Sequence, residues 1–308
     1  MSRRRGGTPI HGWLIIDKPL GVTSAGVVAK VRRLTGAAKV GHGGTLDPLA
    51  TGVLPLALGE ATKTVAYAMD GTKIYRFTVR WGEATATDDA EGEVTARSDV
   101  RPGEAGILAV LPAFMGIIEQ VPPAFSAVKV DGRRAYALAR ADQPVTLEPR
   151  RVRIDDLRLI GRLDDDHAEF EVKSGKGAYM RSLARDLALA LGTVGHVSAL
   201  RRIAVGPFHE KDAISLDNLT TLGHSAPLSK YLLPVETALD DIPALALTEA
   251  EGCSLRQGRA VPALPVMTRS ASAELGQGVV VCAMAGGRPV ALAQIRGAEI
   301  RPLRVLNL

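Results

Sequence analysis

Aromatic side chains are scarce in this 308-residue chain, at 4%, so Val, Leu, Ile and Ala must fill whatever core it builds. Cysteine is rarer still. Cys253 and Cys282 lie far apart, match no metal spacing and give no disulfide framework, which suits a reducing compartment. No uninterrupted apolar run approaches the length of a membrane span. The apolar segment Trp13 to Ile16 is too short for a signal h-region and runs straight into Asp17 and Lys18. A cytoplasmic protein with no membrane role is therefore expected. There is no P-loop, no Gly-x-Gly-x-x-Gly after a strand, no His-Glu-x-x-His and no Cys-x-x-Cys. The six histidines (His11, His42, His167, His196, His209, His224) show no ligand spacing. Neither a cofactor nor a metal is expected. No internal repeat or low-complexity tract is present.

What is there is globular in kind: 46% hydrophobic and 23% charged residues. The length allows a main domain plus a small one. Net charge is +5, a modest bias towards polyanions. Its distribution says more. Residues 1–40 hold eight Lys/Arg against Asp17 alone, and residues 125–153 hold seven (Lys129, Arg133, Arg134, Arg140, Arg150, Arg151, Arg153) against three acids. Charge runs are ordinarily solvated surface, yet two separated ones can frame a phosphate track.

The chain is organised around Gly41-His42-Gly43-Gly44-Thr45-Leu46-Asp47-Pro48-Leu49-Ala50-Thr51-Gly52. Four glycines in twelve residues argue against a regular helix or strand. Pro48 pushes Asp47 into an extended conformation. The stretch reads as a shaped loop presenting the Asp47 carboxylate and the His42 imidazole, anchored by a buried strand at 53–58. Taken alone, an Asp-Pro in such a loop is ordinarily turn chemistry.

Before the loop, a strand is expected at 12–17 and a helix from Thr23 or Ser24 to about Leu34, stopped by Gly36. After it come a helix over 59–69, a period-2 strand over 72–81, an acidic, solvent-facing turn over 82–92 and a helix at 103–114. Pro122-Pro123 breaks the pattern before a short strand at 127–130, a turn signal at Asp131-Gly132 and a helix at 133–140. Two strands, 152–163 and 168–174, flank an acidic turn. An amphipathic helix follows at 178–191. Beyond about 245 the chain turns rich in Val, Gly and Pro, with two apolar runs around Gly286-Gly287, a hairpin signature. Without strict βαβ alternation the class is α+β.

Tyr179 and Arg181 stand at the start of the amphipathic helix, placed to stack on a base and to pair with a carboxylate or phosphate. Packing and solvent exposure are the ordinary alternatives. Tyr75 shares a strand face with Phe77 and Val79, where core packing is the ordinary role.

Together these stretches resemble one family. Lys18-Pro19-Leu20-Gly21-Val22-Thr23-Ser24 and the loop 41–52 with Val53-Leu54-Pro55 carry the likeness. Gly59-Glu60-Ala61-Thr62-Lys63, Lys73-Ile74-Tyr75-Arg76, Pro122 to Lys129 and Gly132-Arg133-Arg134-Ala135-Tyr136 continue it. Tyr179 to Leu187 and Leu200-Arg201-Arg202 complete it. In this order they resemble the TruB family of tRNA pseudouridine-55 synthases, of the standalone bacterial type. The resemblance implies a mixed, largely antiparallel sheet flanked by helices. With a flexible basic arm read at 1–11 and a small β-rich domain at 245–308, it further implies a catalytic domain at 12–240 with an RNA-gripping insert at 122–152, and a PUA-like identity for the β-rich domain. It implies catalysis by Asp47, a base-stacking Tyr75, an Arg181 paired with Asp47, a pocket lined by Tyr179 and Leu200, substrate contact by His42, and a structural role near the site for Lys18 and Pro19. The partner it implies is the T stem-loop of tRNA; nothing in the sequence demands a partner protein, and a monomer is expected. Two departures stand out: Ala86 where the family often has Asp, and Ile203 where Thr commonly follows the two arginines.

Uridine isomerisation breaks N1–C1′ and forms C5–C1′ without net redox change, in keeping with the missing cofactor motifs. It needs the base out of its stack. Two other classes are set against it: a non-catalytic RNA-binding or RNA-folding module of the same fold, and a carboxylate-dependent hydrolase of nucleosides or sugars. The second would want another carboxylate near the first, and the loop itself offers one. If the basic stretches track phosphates, RNA affinity falls steeply as salt rises, with a linear log–log slope in a filter-binding titration. A flat dependence would count against the track.

Overall fold

Alternation along Lys73–Trp81 buries Phe77, Val79 and Trp81 on one face and makes this strand an interior member of an 11-stranded sheet. The computed structural model describes residues 6–126, 128–130, 132–141, 143, 145–222, 228–270 and 275–308. Edge to edge, the main path of the sheet runs Ile214–Ser215, Gly12–Lys18, Ala50–Leu58, Gly195–Val205, Lys73–Trp81, His167–Ser174, Arg150–Arg162, Gly116–Gln120. Neighbours are antiparallel except Gly12–Lys18 with Ile214–Ser215 and Gly195–Val205 with Ala50–Leu58. The sheet is thus mixed and largely antiparallel, flanked by helices, as expected of the α+β class. No helix among the described residues is long and apolar enough to cross a membrane.

Two helices position the site. Ser24–Thr35 starts where the Thr23 hydroxyl accepts the Gly26 N–H (3.0 Å) and ends at Gly36 in the left-handed region. Met180–Ala190 buries Leu183 and Leu187 completely against the sheet core.

Boundaries differ from expectation where backbone chemistry intervenes. The strand before residue 58 begins at Ala50, because its first residues pair in parallel with Leu200–Arg202. The stretch 59–69 divides into a 3₁₀ turn, Gly59–Lys63, and a short helix, Val65–Asp70. The helix expected at 103–114 ends at Val110, with Pro112 in the 3₁₀ turn that follows. Lys129–Val130 and Arg133–Arg134 form a hairpin before the helix Ala135–Ala139. Of the expected basic arm, Arg3, Arg4 and Arg5 lie outside the described residues, as do Ala127, Asp131 and His224. The described part of that arm is not free. The Thr8 N–H donates to the Gly36 carbonyl (2.8 Å), and His11 Nδ1 accepts the Glu60 N–H (3.2 Å).

Beyond residue 243, five strands form a second sheet with its own apolar core, which includes Leu245, Val281, Ala293, Ile295 and Ile300. The hairpin around Gly286-Gly287 is there, Val280–Ala285 with Arg288–Arg296. Two helices were not foreseen, Glu249–Arg256 and Ala263–Arg269. The first has a legible start: Thr248 and Glu251 form a capping box.

The chain's end returns to the main sheet. Leu306, 1% exposed, packs in a cluster with Trp13, Ala57, Phe208 and Val235. Lys63 Nζ donates to the Val305 carbonyl (2.7 Å), and the Asn307 N–H donates to Glu60 Oε2 (2.8 Å). Glu60 and Lys63 therefore clasp the tail. Truncating Leu306 to Ala should cost about 2–5 kcal/mol, the range for emptying a buried Leu site, read as a lowered denaturant midpoint. An unchanged midpoint would mean that the side chain contributes nothing to the core.

Candidate active site

Residues on both sides of Asp47 are pinned. Ser24 Oγ donates to the Leu46 carbonyl (3.0 Å) and accepts the Leu46 N–H (2.8 Å). Lys18, fully buried, donates from Nζ to the carbonyls of Pro19 (2.9 Å), Val22 (2.6 Å) and Pro48 (3.2 Å). The Gly21 N–H also donates to Pro48 (2.9 Å). The loop is narrower than its sequence suggested, since Val40–His42 already pairs with Leu56–Leu58. Asp47 itself stays 40% exposed at its side chain, the open point of a fixed turn.

Arg181 meets it from the start of the helix Met180–Ala190, with Tyr179 as the preceding cap residue. Nη2 lies 2.9 Å from Asp47 Oδ2 and donates to the Phe125 carbonyl (2.9 Å); Nη1 donates to the Thr87 carbonyl (2.9 Å) and lies 3.5 Å from Asp89 Oδ2. The Arg181 side chain is only 5% exposed, so its charge is compensated by two carboxylates and two carbonyls.

Asp89 corrects the reading of 82–92 as a solvent-facing turn. It is 3% exposed, and its Oδ1 accepts from the Thr87 hydroxyl and the Glu91 N–H (3.0 Å). Asp88 pairs with Arg185 at 2.9 Å. Asp88 and Asp89 face arginines of the helix, Glu83 pairs with Arg80 and Arg97, and Glu91 alone of the four acids is exposed. Burial, ahead of the arginines' opposing pull, pushes the Asp88 carboxyl up. The exposed Glu91 is also pushed up, first by desolvation, then by the charges of Asp89 and Asp47.

Among the sequence-predicted residues, Asp47 and Arg181 are in contact. Tyr179 is held beside them through its backbone: its N–H donates to Gln120 Oε1 (2.7 Å) and its carbonyl accepts from Gln120 Nε2 (3.1 Å). Burial raises the Tyr179 phenol, and the Asp47 charge adds to that. Leu200, 8% exposed, sits in register with Ala50 on one side and Phe77 on the other. Tyr75 is half-buried against the core, opposite Arg202 in the neighbouring strand. His42 is half-buried, and its Nδ1 is enclosed without a partner among the described residues. Burial, then the charge of Arg202, lowers its imidazole and favours the neutral ring. Pro19 follows Lys18 and accepts from its ammonium.

Four contributors escaped sequence reading as site residues: Asp89, Gln120, Ser24 and Arg202. Arg202 is 1% exposed and donates to the carbonyls of Gly44, Thr45 and Val53. Its signal was present, an arginine between Leu200 and Ala204 on the buried side of a strand. Gln120 and Ser24 are ordinary polar residues with no local pattern to mark them.

A carboxylate fixed by its neighbours, ion-paired to a buried guanidinium and flanked by a tyrosine, is a site for attack or proton transfer at carbon. Comparison with known proteins supplies the class. Residues 32–180 match the model for the TruB family pseudouridylate synthase N-terminal domain, and residues 181–240 match that for the tRNA pseudouridylate synthase B C-terminal domain. The molecule is a pseudouridylate synthase. Two curated proteins named tRNA pseudouridine synthase B align end to end, covering both chains fully: that of Rhodospirillum rubrum at 62% identity and that of Caulobacter vibrioides at 53%. The chain belongs to the TruB family. In three dimensions it is similar to a chain in the crystal structure of a Cbf5–Nop10–Gar1 complex, at TM-score 0.73 and 27% identity over 96% of this chain and 85% of that one. A chain of an H/ACA RNP bound to a substrate RNA containing 2′-deoxyuridine shares the fold at TM-score 0.74 and 23% identity, over 100% of this chain and 92% of that one.

Two lysines in this part of the sheet are unusual. Burial lowers Lys18 to about 8, against the opposing charge of Asp47, and lowers Lys73 to about 8 as well, with Arg202 adding to the effect. Lys73 Nζ caps the carbonyls of Met69 and Gly71. A lysine with a lowered folded pKa binds fewer protons folded than unfolded between about 8 and 10.5, so its contribution to stability rises with pH across that window. Denaturant titrations of wild type and Lys73→Met should diverge in favour of wild type as pH climbs from about 8 to 10.5. A difference that stays constant with pH would contradict the assignment.

Proposed function

We propose that this chain isomerises uridine 55 in the T loop of tRNA to pseudouridine, with the target base flipped into the pocket at Asp47. The observation that carries the reading is the ion pair between Asp47 and the buried Arg181. An exposed carboxylate held by a desolvated cation is aimed and available to carbon. In this reading Asp47 reacts at the ribose or at the uracil ring. Arg181 sets its direction. Tyr75 stacks on the flipped base, Tyr179 and Leu200 line its pocket, and His42 contacts the flipped region of the substrate loop. Lys18 and Pro19 support the turn. The base leaves C1′ through N1 and returns through C5; the C5 proton is lost and N1 gains one, so no electrons are gained or lost and no cofactor is required.

Affinity would come from the basic surface of the insert at 122–152, where Lys129, Arg133, Arg140, Arg150 and Arg151 are exposed. The C-terminal five-stranded unit would act as a PUA-like RNA-binding domain. We take the enzyme to be cytoplasmic and to work as a monomer without an obligate protein partner. Asp89 does not turn the site into a two-carboxylate hydrolase, because its oxygens are occupied by Arg181, Thr87 and the Glu91 N–H.

Wild type and Asp47→Asn, each incubated with unmodified tRNA, test the reading by chemical labelling and primer extension. The expected result is a stop at position 55 with wild type and a loss of at least 10³-fold in rate with the variant, on the scale of removing a reacting group. Full modification by the variant would remove Asp47 from catalysis. Free uracil as product would replace isomerisation with hydrolysis.

A further inference from the structure

Arg202 is a buried cation without an anion. Its residue is 1% exposed, and no carboxylate pairs with it among the described residues. Burying an uncompensated guanidinium is costly, and simpler residues fill cores. What it has instead is a set of carbonyls, all from one piece of chain. Nε donates to Val53 (2.8 Å), Nη2 to Gly44 (3.1 Å), and Nη1 makes a longer contact with Thr45 (3.4 Å). These are both flanks of the turn that carries Asp47. The Tyr75 phenol is its remaining partner, directly across the strand pair.

The surrounding backbone is shaped to admit this side chain. Gly52 lies in register with Arg202 at φ +97, and a Cβ there would stand 2.3 Å from the Arg202 carbonyl oxygen. Gly44 lies at φ +118, where a side chain is strained, and a Cβ there would stand 3.4 Å from Nη1. Gly52 thus lets the two strand backbones come close at Arg202, and Gly44 leaves the space beside the guanidinium free of a side chain. Ser24 and Lys18 pin Leu46 and Pro48 from the other side. The turn is held from two directions, and Arg202 is the anchor that also reaches Tyr75.

We infer that Arg202 is a positioning residue for the isomerisation: its five-donor fork fixes the loop so that Asp47 points at the reacting atoms, and fixes the Tyr75 ring against the same frame. The inference rests on the reading of Asp47 as the reacting carboxylate. A fork is needed because the carbonyls diverge; a lysine presents one point charge and cannot satisfy them together.

The test is Arg202→Lys, read as single-turnover rate of pseudouridine formation against tRNA dissociation constant. The expected result is a rate reduced at least 100-fold with affinity within threefold of wild type. Repeating the substitution in an Asp47→Glu background, where the carboxylate is already displaced, should shrink the loss to less than tenfold. Neighbouring groups that act as a unit are non-additive in this way, whereas general destabilisation would multiply through unchanged. Should Arg202→Lys fail to fold, Gly44→Ala disturbs the same contact from the loop side and should lower the rate while leaving affinity intact. A wild-type rate in the folded variant, or an equal loss in both backgrounds, overturns the inference. Full activity of Asp47→Asn would instead overturn the reading beneath it, so the two failures are separable.

Discussion

The site depends on the burial of one cation, the guanidinium of Arg181. Removed from water, it requires negative partners at close range, and it recruits them from three remote parts of the chain: the Asp47 turn, the Thr87–Asp89 segment and the Phe125 carbonyl at the root of the basic insert. Each of these contacts has its own supports. Gln120 grips the backbone of Tyr179; Ser182 and Arg185 donate to the Val121 carbonyl; Arg185 takes Asp88. The first turns of one helix thus collect the Asp47 loop, the acidic segment and the stretch from Gln120 to Phe125. A carboxylate left exposed at the centre of such a network has few orientations open to it, which is the preorganisation a carbon-centred reaction demands.

The local elements of this fold were largely legible. Alternation exposed the strand Lys73–Trp81, and Thr23 with Gly36 bounded the first helix. The Gly286-Gly287 turn marked the terminal hairpin. Asp47 stood out for the chemistry of its loop, and the ordered likeness to the TruB family attached Arg181, Tyr75 and Tyr179 to it. What stayed hidden were residues whose role is defined only by a partner distant in sequence. Asp89 looked like one more acid in a polar turn, because nothing local shows that the turn docks along Gly195–Val205, where the Ala90 N–H donates to the Val197 carbonyl. Gln120 and Ser24 carry no pattern at all. The two departures from the family's usual residues, Ala86 and Ile203, are accommodated for a visible reason: Ala86 is exposed, and Ile203 faces the less buried side of its strand.

The main sheet also explains why its motifs lie so far apart along the chain. Gly195–Val205 sits between Ala50–Leu58 and Lys73–Trp81, parallel to one and antiparallel to the other. It carries Leu200 to the loop and Arg202 beneath it. The strand that completes the site is thus made long after the two it separates, and non-local pairing of this kind is slow to form.

The clasped tail extends that delay to the last residues. Trp13, in the first strand, shares its cluster with Leu306, two residues from the end. That cluster cannot close until Leu306 has been made and has cleared the ribosome. Until then the apolar face bearing Trp13, Ala57 and Phe208 lacks one of its walls. Such exposed surface is what chaperones bind and what drives aggregation. The order of synthesis therefore runs against the order of packing, since one of the first strands waits for a wall that is made long after it.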